Sequence, residues 1–422
     1  MIYFFYNKKR LLKNMENNIK PLFKSKELSD KTQSNEKIPY SYTPNSEDDD
    51  NNDNDNNIDD NDDFNKPKKE IKKIKLKCVR IIKGHHKWCN CLIKLKSNNL
   101  CSCSGDKSIN VYSNDNNFNV RLTIPSCHDD FILYVLEVFN FVIVSCSSDG
   151  NMKIWKIVLN SNIQNENNYY LLKTIKAHLL DVWKALFIEE RNQIVSCGSD
   201  SLIKVWDISM IKNDKIDDNQ NIDINNYSNS NLNSTKEKKD IINVELNKEI
   251  KAHKYWILTM IQAKNNKKNV NYLISNSGDS TIKFFDINQN YNLKHSMNNH
   301  ICCKPGAMTN YNDEKFLIGG PRGTFFYIIN FLNFQIEAKI YEGVDEIATI
   351  LVLKKNNFIH NGGFLIGGKQ KCFYYFSEYS YEWKGIKSNA HKDFIYCLIQ
   401  LNDNLLASSS YGNDIKIWKY SE

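Results

Sequence analysis

Ser196-Cys-Gly-Ser-Asp-Ser-Leu-Ile-Lys-Val-Trp-Asp207 decides the fold, because the chain repeats it. A near copy stands at Ser145-Cys-Ser-Ser-Asp-Gly-Asn-Met-Lys-Ile-Trp155. Others follow at Ser102-Cys-Ser-Gly-Asp-Lys-Ser-Ile-Asn-Val-Tyr112, at Ser275-Asn-Ser-Gly-Asp-Ser-Thr-Ile-Lys-Phe-Phe-Asp286 and at Ser408-Ser-Ser-Tyr-Gly-Asn-Asp-Ile-Lys-Ile-Trp418. A small residue and a histidine precede each copy: Gly84-His85, Cys127-His128, Ala177-His178, Ala252-His253 and Ala390-His391. A unit recurring at such a period buries its apolar face against its neighbours rather than alone. Short alternating runs broken by Asn, Gly and Asp read as strands joined by turns. Asn stands where Gly would be expected, since it tolerates the left-handed conformation.

The interval from His253 to His391 has room for three units, and two degenerate copies fill it. One runs from His300 through Phe316-Leu-Ile-Gly-Gly to Ile328, the other from Gly343 through Phe364-Leu-Ile-Gly-Gly to Phe376. Seven units result. The last ends at Trp418 with three strands of its own, while Cys78-Val-Arg-Ile-Ile82 is a strand with no unit. Pairing the two would close a ring and cover a sheet edge.

These units resemble the WD40 repeat family over roughly residues 78–422. The resemblance implies an all-β, seven-bladed propeller spanning residues 77–422. It also implies a hydrogen-bonded chain inside each blade, from indole N–H through Ser hydroxyl and imidazole to carboxylate. That chain is complete as His128, Ser145, Asp149, Trp155 and as His178, Ser196, Asp200, Trp206. Tyr112 replaces Trp in the first unit, Phe285 cannot donate in the fourth, and Gly412 stands where the seventh should have Asp. Repetition of the set argues for a stability device rather than a Ser-His-Asp active site.

Outside the repeats, residues 1–76 form a charged Asn/Asp/Lys-rich segment expected to be disordered, as is the low-complexity insertion 209–243. The net charge of +7 reflects 51 Lys and 5 Arg beside 60 Asn, a compositional skew rather than a basic patch. Met1–Tyr6 is too short an apolar run for a signal peptide, and the Lys8-Lys9-Arg10 cluster follows instead of preceding it. Phe131–Cys146 is broken by Glu137 and Asn140 and is too short for a membrane span. An intracellular protein, cytoplasmic or nuclear, with reduced thiols is expected. Cys89-x-Cys91 and Cys101-x-Cys103 should each share a strand face, and Cys103, Cys146 and Cys197 recur at one position. Their spacing suits core packing rather than zinc. No Walker loop, dinucleotide fingerprint or metalloprotease motif occurs, so no cofactor, metal or catalytic residue is assigned.

The function expected is a non-catalytic scaffold that holds other proteins, by peptide or helix segments, on the propeller faces. The alternative is a nucleic-acid-associated subunit in RNA processing or ribosome assembly, though direct nucleic-acid contact is not expected of scattered Lys with so little Arg. The resemblance places the residues three and five after each His at the top face. Here those are Trp88 and Asn90, Phe131 and Leu133, Asp181 and Trp183, Trp256 and Leu258, Phe394 and Tyr396, with Glu346 from the sixth unit. So many aromatics suggest a groove centred on Trp88, Trp183, Trp256 and Phe394. The carboxylates of Asp181 and Glu346 would favour a partner carrying Lys or Arg. The oligomeric state is left open.

Overall fold

A computed structural model describes residues 75–115, 117–159, 168–211, 241–298, 303–319, 325–341, 346–353, 362–377, 383–387 and 389–421. Within them the short alternating runs are strands, arranged as seven antiparallel sheets of four strands each. The turns between them draw on Asn as anticipated: Asn98, Asn192, Asn269, Asn290, Asn389 and Asn413 all have positive φ. The innermost strands are Cys89–Lys94, Ile132–Phe139, Val182–Ile188, Ile257–Asn265, Met308–Asn310, Ile347–Leu353 and Ile395–Gln400. Each touches the next in this order, and the seventh touches the first. The ring is closed, and its sheets are the seven blades of a propeller.

Closure runs through the amino-terminal strand. Lys75–Ile82 pairs antiparallel with Ile415–Ser421, placing Cys78 opposite Trp418 and Ile82 opposite Ile415. The strand begins at Lys75, so Lys75 and Leu76 belong to the sheet rather than to the expected tail; the rest of that tail lies outside the described residues. The insertion boundaries also move. Leu202–Ile211 and Ile241–Lys251 stay paired as far as Ile211 opposite Ile241, so both ends of the expected 209–243 segment are strand. The cause is apolar alternation: Ile208 and Ile242 are buried in the core between the second and third blades. Residues 212–240 lie outside the described set.

The core lies between blades, where facing sheets interdigitate. Cys91, Val111 and Ile143 join the first blade to the second, and Val195, Met260 and Phe285 the third to the fourth. The degenerate blades five and six use aromatics where the other blades use the hydrogen-bonded chain. Phe326 packs edge-on against Phe364 (5.2 Å) and Phe376 (5.1 Å), and Phe364 stacks on Phe376 at 5.3 Å. Ring pairs at these separations add to the burial itself.

One cysteine expectation fails. A β-bulge at Asn90 breaks the alternation, so Cys89 and Cys91 face opposite sides of their blade. Cys89 enters the core against the seventh blade and Cys91 the core against the second. Cys101 and Cys103 do share a face. Cys103, Cys146 and Cys197 are fully buried at equivalent strand positions, and burial raises the thiol of Cys103 to about 11 and that of Cys197 to about 12. Of the adjacent cysteines 302 and 303, Cys303 is buried and Cys302 lies outside the described residues.

Candidate functional site

Two constellations carry chemistry-bearing side chains, and the first is internal. In the second blade the Trp155 indole donates to Ser145 Oγ (3.0 Å), Ser145 to His128 Nε2 (2.7 Å), and His128 Nδ1–H to Asp149 (2.9 Å). The third blade repeats this through Trp206, Ser196, His178 and Asp200 at 3.0, 2.9 and 2.8 Å. A neutral imidazole protonated on Nδ1 satisfies every member at once. Each carboxylate also accepts a backbone N–H from the residue after the histidine, Asp129 onto Asp149 and Leu179 onto Asp200, which pins the loop entering the blade. Burial opposes ionisation of Asp149 and Asp200, but the bonds from His128 and His178 outweigh it and hold both carboxyls below their ordinary range.

The first blade substitutes a phenol for the indole. The Tyr112 hydroxyl lies 3.3 Å from Ser102 Oγ, and Ser102 lies 2.6 Å from His85 Nε2. Gly84 must lack a side chain because the Tyr112 hydroxyl fills the space a Cβ would take. In the fourth blade the chain stops at Ser275, which bonds His253 (2.8 Å), since Phe285 has no donor. The seventh blade corrects the sequence reading: its carboxylate is Asp414, not missing at Gly412. His391 Nδ1–H donates to Asp414 Oδ1 (3.0 Å), two residues later than in the other blades. Ser108 and Thr281 occupy that later position in blades one and four, and their hydroxyls also reach the histidine Nδ1, at 3.0 and 2.9 Å. The position already faces the imidazole, so an acid there serves as well.

The second constellation lies where the inner strands begin. Trp88 stacks on Tyr411 (5.0 Å, interplanar 3°) and meets Phe131 edge-on at 5.1 Å. Tyr411 continues to Tyr396 (6.2 Å), and Tyr396 to Phe394 (5.2 Å). Five rings from the second, first and seventh blades thus form one arc. Its ends carry Lys87 over Phe131 and Lys304 over Phe394. Tyr411 is 42% exposed and was not among the residues expected here. Its signal was in the sequence: it occupies the turn position held by Gly105, Ser148, Ser199 and Gly278, each donating its N–H to the carbonyl of the residue three after the histidine. A large ring at a position otherwise small marks that turn.

The remaining expected residues are placed differently. Leu133 and Leu258 are buried, and Asn90 spends its amide on the Ile132 carbonyl (2.6 Å). The Trp183 indole donates to Ser199 Oγ (2.8 Å), and Ser199 donates to the buried Asp181 carboxylate (2.9 Å). Trp256, half-buried on the fourth blade, lies beside the 57% exposed Tyr255. Glu346 pairs with Lys304 at 3.0 Å. The structure therefore gathers Trp88, Phe131, Phe394 and Tyr396, and leaves Trp183 and Trp256 on their own blades. The carboxylates of Asp181 and Glu346 are each engaged within the chain.

No helix among the described residues is long and apolar enough to cross a membrane. The family model for the WD domain, G-beta repeat, matches residues 76–113, 169–207 and 384–419. All three matches begin in the outer strand of one blade and end in or just after the third strand of the next, the offset that the amino-terminal strand uses to close the ring. The chain is also similar to the nuclear distribution protein nudF of Aspergillus flavus and of Aspergillus oryzae, 33% identical over 70 residues in each case. That likeness covers 17% of this chain and 14% of those relatives' length. With three stretches matching the WD40 repeat and seven blades closed in a ring, the chain is a seven-bladed β-propeller that carries WD40 repeats.

Proposed function

We propose that the protein is a non-catalytic scaffold that seats a segment of a partner protein on the arc formed by Phe131, Trp88, Tyr411, Tyr396 and Phe394. The carrying observation is the continuity of those five rings across three blades, with Tyr411 open to solvent. Trp88, Phe131, Phe394 and Tyr396 are half-buried beside the exposed Tyr411; contiguous aromatic surface of this kind marks interaction sites, and aromatic anchors dominate their energetics. Lys87 stands over the Phe131 end of the arc, while Lys304 at the Phe394 end is paired with Glu346, and the Asp181 carboxylate is held by Ser199. The fitting partner is therefore a short apolar segment with an acidic residue at its Phe131 end. The non-catalytic reading is supported by the burial of Ser102, Ser145, Ser196, Ser275 and Ser408, each fully enclosed in its blade with no approach for a substrate. Compartment follows the partner, cytoplasmic or nuclear.

Affinity capture with tagged protein tests this. Tyr411→Ala and Phe394→Ala should each lower recovery of the bound partner at least tenfold with the melting temperature kept. Leu293→Ala, at an exposed outer strand, serves as the control and should change nothing. Equal recovery by all three variants would move the binding surface away from the arc.

A further inference from the structure

Lys184 lies on the inner strand of the third blade and is only 7% exposed. Its Nζ donates to Thr259 Oγ1 on the inner strand of the fourth blade at 3.2 Å. The same nitrogen stands 5.6 Å from the ring centroid of Tyr134, on the inner strand of the second blade. An ammonium that reaches the inner strands on both sides of its own sits where those strands converge, in the throat of the ring. Thr259 gives its own proton to the Pro305 carbonyl (2.8 Å), so its oxygen is free to accept from Lys184 and cannot donate back.

Among the described residues, the surroundings hold no compensating charge. Lys184 pairs across its sheet with Cys197, and the same level of other blades presents Cys91 opposite Cys103, Thr349 opposite Gly367 and Cys397 opposite Ser409. The Thr349 hydroxyl accepts the Leu398 N–H at 3.1 Å. The thiol of Cys91 is raised first by its contact with Cys103, that of Cys397 by its contact with Cys91 and then by burial, and that of Cys197 by burial, so all three stay protonated. Among the described residues no carboxylate lies within ion-pair distance of Lys184, and burial pulls its amine below the ordinary lysine range. An ammonium has three donors, and among the described residues one is used. A buried cation without a counter-charge is costly, and it is relieved either by losing its proton or by binding an anion.

We infer that the throat of the ring is a binding site for one small monovalent anion, a halide or a single carboxylate, held by Lys184 Nζ. One ammonium balances one charge, which disfavours phosphate or sulfate. A free halide and a carboxylate share this chemistry, and the two are separable in solution.

The test is chloride-35 line broadening on the full chain, with sodium chloride as the probe and sodium acetate as competitor. The wild-type protein should show a saturable excess broadening, retained by Lys184→Arg and reduced at least threefold in Lys184→Met. Displacement by millimolar acetate assigns the site to carboxylates as well, and persistence in acetate assigns it to halides. Should Lys184→Met fail to fold, Thr259→Val, which removes the hydroxyl that orients the amine, should weaken the saturable component in its place. No saturable component in the wild-type protein, or one unchanged in folded Lys184→Met, overturns the site.

Discussion

Replacing Trp206 with Phe removes one hydrogen-bond donor from the third blade and little else in shape. The indole is 7% exposed and donates to Ser196 Oγ at 3.0 Å, and Ser196 is fully buried. Ser196 keeps its bond to His178 (2.9 Å), but its oxygen loses the proton it received. Leaving a buried acceptor bare costs about 1–3 kcal/mol. The indole belongs to the core that also holds Leu136, Ala185 and Ile242, and forfeiting part of its buried area adds roughly 1 kcal/mol. The expected total is about 2–4 kcal/mol, or ~2 °C of melting temperature per kcal/mol in a domain of this size. Packing and hydrogen bonding separate in a double-mutant cycle with Ser196→Ala, read by circular dichroism in urea with a common m-value. If the indole acts through Ser196, the pair should cost about 1–2 kcal/mol less than the sum of the singles. Phe285→Leu in the fourth blade is the packing control, since Phe285 meets Ser275 with no donor. A coupling indistinguishable from zero would refute the chain of donors, whatever the single variants cost.

The closing strand gives a second expectation: removing residues 1–70 should leave a soluble disc, while removing 1–83 bares the edge of Ile415–Ser421 and should cause aggregation, seen by light scattering. The seventh blade gives a third. Asp414→Ala should cost about 2–3 kcal/mol by leaving the buried His391 Nδ1–H unpaired, and Gly412→Ala should stay within about 0.5 kcal/mol because nothing crowds its added carbon; a loss in Asp414→Ala no larger than that in Gly412→Ala would remove Asp414 from the chain of bonds. A fourth concerns acid. Burial pushes His253 down to about 4, against the opposing pull of Asp279, while the unfolded imidazole titrates near 6.5. Between those values the unfolded chain binds the proton the folded one refuses, so this blade's stability is whole above 6.5 and falls as pH drops toward 4. Asp279, where burial is outweighed by bonds from Thr281 and the Lys254 N–H, sits at about 2 and adds a loss below 3.8. Melting temperatures that stay level from pH 7 to pH 4 would contradict the first limb, and His253→Gln should flatten it.

The parts of this protein that were legible in its sequence are those where one residue type meets one requirement. Trp206, His178 and Asp200 recur at fixed spacing because a buried donor chain admits few substitutes, and the spacing carries the blade count with it. Asn98 and Asn192 reveal turns because few side chains tolerate positive φ. What the sequence concealed came from geometry that spacing does not encode. The bulge at Asn90 turns Cys89 and Cys91 to opposite faces, although alternation alone would align them. Asp414 supplies from a later position what Asp149 supplies from an earlier one, because both positions face the same imidazole nitrogen. Trp88 and Tyr411 are far apart in the chain and meet only because the ring closes between the first and seventh blades. The arc therefore depends on closure as much as on its own rings. A partner seated across it would touch both sides of the seam that Lys75–Ile82 secures, so binding would stabilise the closed ring by linkage. On the proposed reading the binding arc and the latch form a single device, and a variant that loosens the amino-terminal strand should weaken partner binding before it unfolds the disc.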